Sequence, residues 1–218
     1  MSLNRIARVT KTRLIGAALG TSIFAGALAG MPAAHADTPA DTRAAAPQSD
    51  QAVSSVKAQD LINLALQQVG ISENSAGGGT KFHEWYMASD RAKETVARDG
   101  GNVTAYANAP WCAMFVSWVG DSLGLRPTLG WDAYTVTHAK WFTEQGRWGT
   151  TPKPGAVVFF DWNGGKSVNG IDHVGFVMQD NGDGTIKTVE GNTGNGKVEV
   201  RTRPTSQVVG YGYPQYAA

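Results

Sequence analysis

Near residue 150 the hydrophobic pattern of this 218-residue chain changes period, and that change limits the fold more than any other feature. Before it, apolar residues recur at helical spacing. Leu61, Ala65 and Val69 stand four apart with Ile62 and Leu66 beside them, and Gly70 is a natural stop. Lys81 to Arg98 is read as a helix carrying Phe82, Trp85 and Tyr86. Asn108-Ala109-Pro110 offers a cap and a first-turn proline to a helix whose stripe is Cys112, Phe115, Val116, Val119 and Leu123, closed by Gly124. Asp132 to Gln145 is a further helix. After Gly149 the texture becomes that of strands: Ala156 to Asp161, His173 to Met178, Thr185 to Glu190, Lys197 to Arg203 and Val208 to Tyr213. Helices first and then a run of antiparallel strands predict an α+β domain.

The N-terminus stands apart from that domain. Arg5, Arg8, Lys11 and Arg13 precede an uncharged stretch, Leu14 to Gly30, and Ala34-His35-Ala36 supplies the small residues of a cleavage site. This three-part pattern is that of an export signal, predicted over residues 1–36. A membrane anchor fits less well, because the run is short and no stop-transfer charges follow. Residues 37–56 lack aromatic side chains, contain Pro39 and Pro47, and are read as a flexible linker. The catalytic domain is expected over 57–216. Cleavage removes four of the nineteen basic residues and none of the eighteen acidic ones, leaving a net charge of −3. Nothing in that balance suggests nucleic acid as a partner. Stable membrane insertion after cleavage is not expected either, and a secreted monomer, extracellular or wall-associated, is.

An exported chain with one cysteine cannot close an internal disulfide. Composition leaves both a buried inert thiol and a reactive one open; position favours the second. Cys112 falls at a helix start, where unpaired N–H groups and the helix dipole favour a thiolate. His173, at the start of a strand, is the candidate base. If the hairpin loop is Asp180 to Asp183, Gln179 pairs with Gly184 and His173 faces Glu190. A carboxylate there would fix the imidazole tautomer. A five-residue loop would shift the register and place Glu190 on the other face. His83 and His138 have no partner at metal-ligand spacing, so zinc is not expected. Trp111, Trp131 and Trp162 are open between core positions and the lining of a substrate groove.

With these residues in place, Pro110-Trp111-Cys112-Ala113-Met114-Phe115-Val116-Ser117-Trp118 resembles the nucleophile segment of the CHAP family, the cysteine- and histidine-dependent amidohydrolases and peptidases. Pro154 to Trp162 resembles its first core strand and Asp172-His173-Val174-Gly175-Phe176-Val177 its histidine segment. Glu190-Gly191-Asn192-Thr193 resembles its acidic segment, and Val209 to Gly212 its last strand. The likeness runs from about Lys57 to Tyr213. It implies a papain-like fold and hydrolysis of amide bonds in bacterial peptidoglycan. Cys112 is then the nucleophile, His173 the base and Glu190 the group that orients it, with Asn192 at a further polar position near the histidine. Some members bind calcium through aspartates clustered ahead of the cysteine. Asp90 and Asp99 are the nearby upstream aspartates here, and Asp180 to Gly184 lacks the closing glutamate of a calcium loop, so no cofactor is expected. The resemblance leaves open which amide bond is cut, and whether Glu190 or Asn192 orients His173. A related wall-peptidase family places a second histidine where Glu190 stands. A secreted binding or antigenic module without turnover is the alternative of another class.

Overall fold

The computed structural model describes residues 55–218. The expected signal, 1–36, and all but the last two residues of the expected linker lie outside them. The order is α1 (Ala58–Leu66), α2 (Lys81–Ala88), α3 (Asp90–Asp99), a 3₁₀ segment (Val103–Asn108), α4 (Cys112–Ser122), α5 (Arg126–Leu129) and α6 (Thr135–Glu144). The strands follow: β1 (Trp148–Gly149), β2 (Val157–Phe160), β3 (His173–Asp180), β4 (Thr185–Thr193), β5 (Lys197–Pro204) and β6 (Val208–Gly212). They form one antiparallel sheet in the order β1-β6-β2-β3-β4-β5. The fold is α+β, consistent with a papain-like domain.

Local chemistry explains where the observed elements depart from the expected ones. The stretch 81–98 is two helices, because Ser89 is extended, ends α2 and caps α3 by accepting from the Ala92 N–H. Val69 is 47% exposed, since α1 stops at Leu66, before the apolar stripe would reach it. Asn108 does not cap α4; it closes the 3₁₀ segment, and Trp111 occupies the cap position. The last helix begins at Thr135 rather than Asp132. Asp132 is instead a buried anchor that binds the Arg91 guanidinium at 2.7 Å and accepts the Tyr134 N–H.

Helix α4 is buried on nearly every side, including Ala113, Met114, Phe115, Val116 and Val119. A helix apolar all round belongs in the middle of a domain. It packs against β3 and β4 on one side and α1, α2 and α6 on the other. One core cluster joins Leu61, Phe82, Phe115, Val157, Phe176 and Val189. A second, with Val158, Phe160, Val177, Ile186 and Tyr211, lies on the opposite face of the sheet. Each large side chain so placed contributes about 1.5–3 kcal/mol by leaving water. Among the described residues no helix is long and apolar enough to cross a membrane.

Candidate active site

Cys112 is the first residue of α4, and it is 5% exposed. The N–H groups of a helix's first turn have no intrahelical acceptors, so this thiol sits in a field of free donors and positive dipole. Gly191 lets β4 reach the helix start. A Cβ at that position would lie 2.6 Å from the Phe115 Cβ and 2.9 Å from the Trp111 ring. The glycine therefore brings the strand that carries Glu190 up to the turn that carries Cys112.

His173 is the first residue of β3, directly opposite Phe160. Its ring donates from Nε2 to Glu190 Oε2 at 2.9 Å, and Cys112 and Glu190 are the groups whose proximity acts on its charge. With Nε2 taken by the carboxylate, Nδ1 is the nitrogen left to face the sulfur. Burial alone would push the imidazole toward its neutral form. The hydrogen bonds and charges of Cys112 and Glu190 outweigh it, and the group is raised to about 9.

The route by which Glu190 reaches His173 differs from the expected one. The last pair of the ladder is Asp180 opposite Ile186, so five residues, 181–185, separate the paired positions instead of the four from Asp180 to Asp183, although Thr185 already begins β4. Continued without interruption, that register would turn Glu190 to the other face of the sheet. A bulge between Val177 and Gln179 adds one residue to β3 and restores the face: Val177 then opposes Thr188, and Phe176 opposes Val189. Glu190 thus falls beside Gly175, one diagonal from His173. Gly175 is what makes the diagonal passable, since a Cβ there would lie 2.7 Å from the Glu190 Cγ.

Glu190 is fully buried and both its oxygens are satisfied. Oε2 accepts from His173 and from Arg203 Nη2 at 2.6 Å; Oε1 accepts from Arg203 Nε at 2.9 Å and from Thr188 Oγ1 at 2.6 Å. Burial raises the carboxyl group, but the Arg203, His173 and Thr188 hydrogen bonds prevail and hold it at about 2. Arg203 and Thr188 were not anticipated. Thr188 had a legible signal, since residues i and i+2 of a strand share a face. Arg203 had none, being thirteen residues away and placed by the pairing of β4 with β5.

The other candidates divide. Asn192 lies in the irregularity of β4 between Glu190 and Thr193, half-buried, with φ +52°, the left-handed region that asparagine tolerates better than most residues. No side-chain hydrogen bond to His173 is formed there. Trp111 is a core residue: it is fully buried, stacked on Phe82 at 5.3 Å, and donates its indole N–H to Glu73 at 2.9 Å, so it does not line a groove. Trp131 carries the Arg126 guanidinium 3.6 Å from its ring centre, so that ring face is not open to a sugar. Trp162 is 39% exposed and lies 5.2 Å from the His173 ring, 5.4 Å from Phe160 and 4.8 Å from the Arg203 guanidinium. It is a lid over the imidazole rather than a distant wall.

A cleft of about 170 Å³ opens beside the thiol, lined by Cys112, Tyr106, Tyr134, Pro110, Met114 and Asp172 among others. A larger cavity of about 460 Å³, bordered by Lys166, Asp180 and Tyr211, is lined by none of Cys112, His173 and Glu190. Chemistry, not size, therefore selects the smaller one.

An α+β sheet that sets a buried thiol, an imidazole and a carboxylate in line defines a class, the papain-like hydrolases. The CHAP domain family model matches residues 103–192, from the 3₁₀ segment through Glu190 to Asn192. That family implies a hydrolase of the amidase or peptidase kind. No curated protein matches the chain.

Proposed function

We propose that the protein is a secreted peptidoglycan hydrolase that cuts amide bonds of bacterial cell-wall peptide through a Cys112 thioester. The observation that carries this reading is the grouping of Cys112, His173 and Glu190, with a cleft opening beside the thiol. The second proton on His173, carried at Nδ1, is the one the Cys112 thiol gives up, and the sulfur attacks the carbonyl carbon. The oxyanion forms next to the Cys112 N–H at the helix start, where a donor is free to stabilise it. The imidazolium then returns its proton to the leaving amine as the C–N bond breaks. Water, deprotonated by the same nitrogen, opens the thioester and releases a carboxylate. Glu190 keeps the proton on Nε2 throughout.

The export signal and wall location belong to this proposal as well, and N-terminal sequencing of culture supernatant checks them, with Asp37 as the expected first residue. The decisive experiment digests purified wall with the mature protein and identifies the new termini by mass spectrometry. Cys112→Ser is expected to abolish release while leaving the circular dichroism spectrum unchanged. Undiminished release by the folded variant would sink the enzyme reading. A wild-type protein that binds wall but releases nothing would favour the binding module.

A further inference from the structure

We propose that Arg203 is a positioning residue that governs the protonation of His173 by holding Glu190 as a shared, fixed carboxylate. This rests on the proposed function of the same site, although its first test does not require turnover. Arg203 lies on β5, outside the stretch matched by the family model.

The geometry is that of a fork. Nε and Nη2 donate to the two oxygens of Glu190 at 2.9 and 2.6 Å, and Nη2 also donates to Thr193 Oγ1 at 2.9 Å. Two parallel bonds fix the plane of the carboxylate as well as its distance, which a point charge does not do. The guanidinium is itself held, with Trp162 4.8 Å and Phe160 6.0 Å from it, and the same two rings approach His173 at 5.2 and 6.0 Å. Arg203 and His173 thus lean on one aromatic pair and grip one carboxylate.

The consequence is electrostatic. A fully buried carboxylate with only an imidazole and a hydroxyl for company would give its whole charge to the imidazolium, and would itself protonate more readily. The guanidinium divides that charge. It keeps Glu190 ionised, so Nε2 keeps its proton and Nδ1 remains the basic atom. It also limits how firmly His173 holds its second proton, which must leave for the leaving amine. The ionisable groups acting on His173 are Cys112 from α4 and Glu190 from β4; Asp172, which precedes it in the chain, accepts the Trp162 N–H, and Arg203 from β5 acts through Glu190.

The test is a titration of the His173 ring signals by NMR in the full mature protein, with Arg203→Met and Arg203→Lys. In Arg203→Met the His173 midpoint is expected to move above its wild-type value of about 9, and the Glu190 midpoint above about 2. Arg203→Lys, which keeps the charge but loses the fork, should move both by less. On wall peptide, turnover of Arg203→Met should fall about tenfold with little change in KM, less than on neutralising the carboxylate itself. A folded Arg203→Met protein with both midpoints unmoved and only a lower melting temperature would overturn the proposal. If that variant does not fold, Arg203→Lys decides: an unmoved His173 midpoint overturns it. Failure of the wild type to cut wall would count against the proposed function while leaving the titration readable.

Discussion

Glu190 and Asp132 are the same kind of object put to different ends. Each is a buried carboxylate, 0% and 1% exposed, and each binds arginine: Arg203 at 2.6 Å in one case, Arg91 at 2.7 Å and Arg98 at 3.5 Å in the other. Each also has a buried histidine for a neighbour, and there they part. His138 gives Nε2 to the Leu129 carbonyl at 2.7 Å and finds no partner for Nδ1; burial dominates and pushes it below its ordinary value. His173, equally shut away from water, stands between a sulfur and a carboxylate and is pushed up. Burial decides a histidine's charge only where the groups it faces do not outweigh it. Asp132 ties α3 to the segment ahead of α6 by ion pairs, whereas Glu190 holds the histidine beside Cys112, the proposed nucleophile.

The strongest way to break that distinction is to neutralise both acids. Glu190→Gln keeps the shape and an acceptor but removes the charge that stabilises an imidazolium. Its turnover is expected to fall by about 10² or more, with the folded structure retained. Asp132→Asn should do the reverse, lowering stability by about 3 kcal/mol, because the arginines lose their counter-charge, while the protein that remains folded keeps its turnover. Denaturant melts and steady-state rates on the two variants check both halves. A Glu190→Gln protein with near-normal turnover, beside an Asn192→Ala protein that has lost it, would transfer the orienting role to Asn192.

Gly175→Ala sharpens the same point sterically. The added methyl would meet the Glu190 Cγ at 2.7 Å and the Val189 carbonyl at 3.1 Å. Overpacking at such a contact costs about 1–3 kcal/mol. Because Arg203 and Thr188 pin the carboxylate from the far side, the side chain has little room to yield. A fall in turnover with a displaced His173 resonance is expected; an unchanged resonance would mean that Glu190 reaches the ring by another path.

The two histidines should also leave opposite marks on stability against pH. His173, raised when folded, contributes fully below its unfolded value near 6.5 and loses that contribution as pH climbs through about 9, on the order of 3 kcal/mol. His138, lowered when folded, contributes above 6.5 and loses its share as pH falls below that value. Cys112→Ala removes the strongest of the influences that raise His173, so the alkaline loss should begin earlier in that variant. His138→Phe should flatten the acid side alone. Urea melts at a series of pH values distinguish the two arms, and coincident arms would refute the contrast.

Periodicity and composition carried the reading a long way. The apolar runs placed α4 and the five longer strands within a few residues, because a buried helix and a buried strand must each be apolar at their own period. The lone cysteine at a helix start and the histidine at a strand start were legible for the same reason: both are set by local structure. The two-residue strand at Trp148 was not legible, since it exists only by pairing with β6. Nor was the burial of Trp111, whose neighbour Phe82 comes from another helix. The partnership of Glu190 with His173 depended on tertiary structure most of all. The chain gives the parity of a strand, but the gap between the last paired positions is one residue longer than its turn residues suggest, and the bulge before Gln179 cancels the error. Which residues stand across a ladder is a sum of turns and bulges, each fixed by packing against both sheet faces. Arg203 follows the same rule one strand further out: its type is written in the sequence, but its place against the carboxylate is decided by how β5 lies on β4.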